Sequence, residues 1–248
     1  MIIALDFDGV LCDSAGEMAE AAWRAAAKLW PAEFTGLPPA DFVEAFRALR
    51  PGLETGYESI LFARLLRDGV ALTAESAHQQ SQALLAELLW SREDLVSTFG
   101  TTRDAWINSD LDGWLAAHEF YPGALDFLRR SQEVAKVLVI TTKQTRFAQA
   151  LLKGILAPDA VYGLESGNKV DTLCELRKTA PEIHFVEDRL DTLLGVVNCP
   201  QLNEVRLYLV DWGYNTVAQR REAGKHPRIH VLTHDFRAFA LSGSANSL

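Results

Sequence analysis

The chain has 248 residues, 48% of them hydrophobic, and a formal net charge of −9. That length and apolar content allow one large domain, or a core carrying an inserted one. The scattered Lys and Arg of an acidic chain argue against nucleic acid or an anionic membrane surface as a partner, since both require clustered cations. No apolar run approaches the roughly eighteen residues of a membrane span, and no charged segment precedes the first strand. Cys12, Cys174 and Cys199 are too few and too widely spaced for a disulfide framework or a zinc site. The expectation is a soluble, cytoplasmic protein with reduced thiols.

The chain opens with "MIIALDFDGVLCDS", in which a buried-strand pattern ends in Asp6 and Asp8. From about residue 15 to 121 the texture is helical. The segments "EMAEAAWRAAAKL", "PADFVEAFRAL", "YESILFARLLRDG", "TAESAHQQSQALLAELLW" and "SREDLVSTF" carry apolar residues at three-to-four spacing, bounded by Thr, Ser, Asp, Pro or Gly. From "YPGALDFLRR" onward, β-branched runs alternate with helices: "AKVLVITT", "DAVYG", "IHFVED", "VRLYLVDWG" and "RIHVLTH". This alternation predicts a parallel sheet, and the isolated first strand has no other place to pair. The fold class is therefore α/β, a doubly wound Rossmann-like parallel sheet. Residues 1–14 and 122–241 form its core, 15–121 an inserted all-helical domain, and 242–248 a disordered tail.

In such a sheet the ligand crevice lies beyond the carboxyl ends of the strands. Strand one ends in Asp6 and Asp8, "VLVI" in Thr141 and Thr142, and "IHFV" in Glu187 and Asp188. Two unit charges 4 Å apart repel by about 4 kcal/mol at an effective dielectric near 20, so four acids in one crevice call for a cation. With no Cys or His at these strand ends, a hard oxygen-loving ion, Mg2+, fits better than zinc.

These residues resemble the motifs of the haloacid dehalogenase-like (HAD) hydrolases. "DFDGVLCDS" is similar to the first motif of that family, "VLVITTK" to the second, "GNKVDTL" to the third through Lys169, and "IHFVEDRLDTL" to the fourth. "VDWGY" resembles the segment after the fifth core strand of phosphoglycolate phosphatase-like members, and a helical insertion after the first motif is what the family calls a C1 cap. The resemblance implies a Mg2+-dependent phosphatase acting on a small phosphorylated metabolite. Asp6 is then the nucleophile, Asp8 the acid and base, and Thr141, with Thr142, a phosphoryl ligand. Lys169 neutralises the phosphoryl group, with Lys143 the fallback, and Gly9 permits a sharp turn beneath it. Asp188, Asp6 and Asp8 hold the metal, with Glu187 or Asp191 a possible addition. Thr192 stands where many members carry a further acid, and Val170 where proline is frequent. Arg50, in the polar stretch "LRPGLETGYES", is the candidate for reading the far end of the substrate, with pairing to Glu54 or Glu58 as the other reading. A sugar phosphomutase and a catalytically idle phospho-ligand or protein-binding relative are the alternatives.

Overall fold

A computed structural model of the chain describes residues 1–233 and 236. The expected tail at 242–248 and His234 lie outside the described residues. The chain divides into two compact units, Met1–Asp13 with Phe120–Leu248, and Ser14–Glu119.

The first unit is built on a six-stranded sheet. Its strands are β1 (Ile2–Leu5), β4 (Lys136–Ile140), β5 (Val161–Tyr162), β6 (Ile183–Glu187), β7 (Arg206–Val210) and β8 (Ile229–Leu232), with short strands β2 (Cys12–Asp13) and β3 (Glu119–Phe120) outside it. The order is β5-β4-β1-β6-β7-β8, with every pairing parallel. Central β1 pairs with β4 on one side and β6 on the other, Leu5 lying opposite both Val139 and Val186. That register brings the first acid after β1 beside the acids that end β6. Helices α7 (Ala124–Ser131), α8 (Thr145–Leu151), α9 (Lys169–Arg177), α10 (Leu190–Val197) and α11 (Val217–Ala223) are the crossovers. One apolar layer, including Leu138, Leu173, Phe185, Leu193, Val196 and Leu207, buries the inner faces of α9 and α10 against the sheet. The strands are apolar on both faces because helices cover both, which is why they read as continuous hydrophobic runs.

The second unit contains α1 (Ala15–Leu29), α2 (Ala40–Leu49), α3 (Glu58–Arg67), α4 (Ala74–Leu88), α5 (Arg92–Ser109) and α6 (Leu111–Ala116). An alanine-rich face of α1 lets neighbouring helices approach, and Trp23 sits 4.9 Å from both Phe34 and Phe42 in edge-on contact. Fully buried Glu17 receives Arg103 Nε at 2.6 Å, Arg103 Nη2 and Trp114 Nε1 at 3.0 Å, so one carboxylate on α1 ties down α5 and α6. A buried acid is tolerated when its lone pairs are satisfied in this way. Helix α5 continues ten residues past the "SREDLVSTF" segment. Thr101 and Thr102 donate back to Ser97 O and Thr98 O, and Leu95, Phe99, Thr102 and Trp106 keep one face buried. Tertiary burial there outweighs the weak helix propensity of Gly100 and the two threonines.

The polar stretch before α3 is organised by Glu58. Its carboxylate, 1% exposed, accepts from the amides of Glu54 and Thr55, from Gln82 Nε2 at 2.8 Å, and lies 2.7 Å from His78 Nδ1. Tyr57 is buried with its hydroxyl against Gln82 Nε2. These two residues therefore serve the loop itself. Arg50 is half-buried at the start of a 3-10 turn, Arg50–Gly52. At Gly52 a Cβ would lie 2.1 Å from Ala74 O, which accounts for glycine at that close approach.

Candidate active site

Strand β1 ends as the chain turns out of the sheet. Asp6 N donates to Val186 O, and Leu11 N and Cys12 N both return to Phe7 O. Gly9 stands inside this turn at φ +82°. A Cβ there would lie 1.9 Å from Asp188 Oδ2 and 2.9 Å from Tyr214 Cδ2. The glycine therefore lets the first acid loop pass against the second acid pair.

Asp6, Glu187 and Asp188 are buried together, each offering a carboxylate oxygen within 4.8 Å of the others. Lys169, the first residue of α9, projects into this group with Nζ 2.9 Å from Asp6 Oδ2 and 2.7 Å from Glu187 Oε2. Asn168 caps that helix by accepting from Asp171 N at 2.8 Å, which holds the lysine's backbone in place. Glu187 has both oxygens engaged, Oε2 by Lys169 and Oε1 by the amides of Asp188 and Arg189, each at 3.0 Å. Asp188 is set by the loop after β7: Tyr214 N donates to its Oδ2 at 2.7 Å, and Asn215 Nδ2 donates to its carbonyl at 2.8 Å. Asn215 is held in turn by Arg220 Nη1 at 2.9 Å. The "VDWGY" signal was visible after a strand, whereas Asn215 was not singled out, and the service of this loop to Asp188 depends on β7 lying beside β6.

Electrostatics follow from burial. The Asp6 carboxyl is pushed up from its ordinary 3.8 to about 7 by desolvation, with Lys169 opposing and Glu187 and Asp8 adding. Burial lifts Glu187 from 4.5 to about 7 against the pull of Lys169. Asp188 is raised too, by burial and then by Asp6. Burial works against the Lys169 ammonium, but Asp6 and Glu187 outweigh it and drive that pKa upward. Once ionised, three carboxylates against one ammonium leave two negative charges, the complement of a divalent cation. The donors are all oxygens, as a hard ion requires, so the residues fit Mg2+.

Asp8 is partly exposed, with Oδ1 3.3 Å from Nζ of Lys143, a buried lysine on the loop after β4. Thr141 is buried at the end of β4, its Oγ1 accepting from Lys143 N at 3.1 Å, whereas Thr142 is exposed. Asp191 is exposed on the first turn of α10 and lies outside the buried acid group. Arg50 belongs to the helical unit. Among the imidazoles, His184 is buried against Tyr208 OH at 2.9 Å and His118 against Trp114 O at 2.9 Å.

A parallel α/β sheet with a buried acid cluster at the carboxyl ends of adjacent strands, and the first lysine of α9 set against it, is an arrangement suited to a charged ligand. The profile of the haloacid dehalogenase-like hydrolases matches residues 1–196, and the chain belongs to that family. Solved structures share the fold at low identity. A protein described as a predicted phosphatase from Clostridium acetobutylicum superposes with TM-score 0.60 at 14% identity, over 94% of this chain and 93% of that one. A provisionally assigned phosphoglycolate phosphatase from Lactobacillus delbrueckii subsp. bulgaricus gives 0.59 at 14%, over 94% and 93%. A provisionally assigned β-phosphoglucomutase from Bacteroides vulgatus gives 0.53 at 18%, over 94% and 83%. No curated protein matches the chain. Among the described residues no helix is long and apolar enough to cross a membrane.

Proposed function

We propose that this hydrolase is a Mg2+-dependent phosphatase of a small phosphomonoester, working through an aspartyl-phosphate on Asp6. The observation that carries the reading is the buried Asp6, Glu187 and Asp188 group bridged by Lys169 at the ends of β1 and β6. A carboxyl lifted to about 7 is a poor nucleophile until a cation lowers it again, and Lys169 alone does not neutralise the cluster. Asp6 and Asp188, with the Asp8 carbonyl, would hold Mg2+, which would supply charge neutralisation around the transferring phosphoryl group. Glu187, with one oxygen held by Lys169 and the other by two amides, is assigned to positioning that lysine rather than to the metal.

Asp6 forms a bond to phosphorus as the ester P–O bond breaks, and Asp8 gives its proton to the departing alkoxide. Water then attacks phosphorus, Asp8 takes the proton, and the bond to Asp6 breaks to release phosphate. Lys169 and Thr141 stabilise the phosphoryl oxygens. Thr142 and Gly9 complete the loops around them. The helical unit is read as the C1 cap, inserted between the first motif and the rest of the core. A mutase would return the phosphoryl group to a sugar instead of to water, so phosphorus NMR of the products separates the two readings. Turnover of an aryl phosphate by the magnesium-loaded protein also tests the idle-relative reading, and a screen of phosphorylated metabolites would then supply the substrate.

Metal dependence gives an expected result beyond activity. Between about pH 4 and pH 7 the metal-free folded state holds protons on Asp6 and Glu187 that the unfolded chain has released, so its stability falls as pH rises through that window. Mg2+ requires the ionised carboxylates. The rise in Tm on adding Mg2+ should therefore be larger at about pH 8 than at about pH 5, and Asp188→Ala should remove most of it. A Tm indifferent to Mg2+ at both pH values, together with full turnover in excess chelator, would sink the metal assignment.

Arg50 is proposed as the residue that reads the non-reacting end of the substrate, through a carboxylate or second phosphate held bidentately. Arg50→Ala should raise KM for the metabolite found by screening about tenfold or more, and leave KM for an aryl phosphate within about twofold. Equal losses on both substrates would mark Arg50 as structural.

A further inference from the structure

Two of the three cysteines meet at the surface of the core unit. Cys174 on α9 and Cys199, just past α10, have their sulfurs 3.6 Å apart across 25 residues of chain. Both side chains are partly buried against the apolar layer beneath, and both remain partly accessible. Their backbones are fixed independently. Cys174 is within a helix, while Cys199 N bonds to Val196 O and Cys199 O receives Leu202 N at 2.9 Å, ahead of the turn Pro200–Leu202 that fully buried Leu202 anchors. The Gln201 amide oxygen lies 3.4 Å from Cys174 Sγ and 3.7 Å from Cys199 Sγ, so it accepts from the pair. An open depression lined by Asp171, Cys174, Glu175, Arg177, Lys178 and Gln201 gives a small oxidant access. A bond length near 2.0 Å asks the sulfurs to close by roughly 1.6 Å, within reach of χ1 rotation at two partly exposed side chains.

We propose that Cys174 and Cys199 are a reversible disulfide-forming pair, a site of oxidative modification separate from the acid cluster. With a peroxide as oxidant, one thiolate attacks the peroxide oxygen and becomes a sulfenic acid as the O–O bond breaks. The second thiolate attacks that sulfur and expels hydroxide. Two thiols and one hydrogen peroxide thus give one disulfide and two waters, the sulfurs losing two electrons and the peroxide gaining them. The crosslink joins α9, whose first residue is Lys169, to the chain just past α10, which begins two residues after Asp188. It staples the two helices that follow two of the site's loops. Burial, the neighbouring thiol and the acids Asp171 and Glu175 raise the Cys174 thiol pKa, so the reaction should be slow near neutral pH and faster as pH rises.

The test is oxidation of the full chain with hydrogen peroxide or with diamide, followed by non-reducing peptide mapping. The expected product is a monomer lighter by two hydrogens, with the Cys174 and Cys199 peptides linked, restored by dithiothreitol. Closing a 25-residue loop should raise Tm by about 5 °C or more in the wild type and in Cys12→Ser. Cys174→Ser and Cys199→Ser should show no such rise. Linkage through Cys12, intermolecular dimers, sulfinic acids on unlinked cysteines, or thiols that stay reduced where a free dithiol peptide is fully oxidised would each overturn the proposal. The wild-type peptide map decides it even if a serine variant folds poorly.

Discussion

Asp6→Asn is expected to lower turnover of a phosphomonoester by at least about 10⁴-fold while leaving the protein folded. The reason is chemical before it is structural: an amide has no anionic oxygen to bond phosphorus, so the covalent step assigned to Asp6 has no nucleophile. The fold should survive because the substitution removes a carboxyl that burial already lifts to about 7, and keeps a side-chain oxygen to accept from Phe7 N at 2.7 Å. Lys169 still has Glu187, 2.7 Å away. Intact-mass analysis of acid-quenched samples supplies the matching readout, with a phosphorylated species in the wild type and none in the variant. A variant that turns over at more than about a tenth of the wild-type rate would show that Asp6 is not the nucleophile.

Lys169→Met carries the second large effect, and it acts on two quantities at once. Replacing the ammonium with a thioether of similar length leaves three buried acids facing one another without their internal cation. Turnover should fall by roughly 10²–10³-fold at saturating Mg2+, the scale of losing one preorganised charge aimed at the transition state. Stability should fall as well, by about 3–5 kcal/mol where the acids must be ionised, because breaking a buried ion pair strands its partners. The sign with pH follows. At about pH 5 the stranded carboxyls can remain protonated and the loss is small, whereas at about pH 8 the unfolded chain has released those protons and the folded state is penalised. Thermal melts of the metal-free variant at the two pH values check this. Equal losses at both would mean that Lys169 contributes packing rather than charge. Wild-type kinetics would shift the phosphoryl-neutralising role to Lys143.

Much of the core was legible because its signals are local. Buried parallel strands advertise themselves as short β-branched runs, and β1, β4, β6, β7 and β8 stand where those runs predict them. The acids Asp6, Glu187 and Asp188 were visible for the same reason, since an ionisable residue directly after a buried strand is conspicuous in sequence. Helix ends in the Ser14–Glu119 unit were harder. Glycine and two threonines after Phe99 weaken the local preference, and the burial of Trp106 that carries α5 onward is a property of the packed unit. Glu58 likewise reads as a charged loop residue until His78 and Gln82, on a different helix, come against it.

What the sequence determined by itself, then, was the set of chemical groups and the strand ends that would carry them, because hydrophobic period and residue type are written into consecutive positions. Their partnership was decided only by the tertiary structure. Which acid takes Lys169, why Gly9 must lack a side chain, and how Tyr214 and Asn215 secure Asp188 all depend on β1 lying beside β6 and β6 beside β7. The same holds for Cys174 and Cys199, which lie 25 residues apart in the chain and show as a pair only once α9 and α10 pack on one face of the sheet. Pairing of that kind is a matter of distance and burial between segments remote in sequence, and no local pattern encodes it.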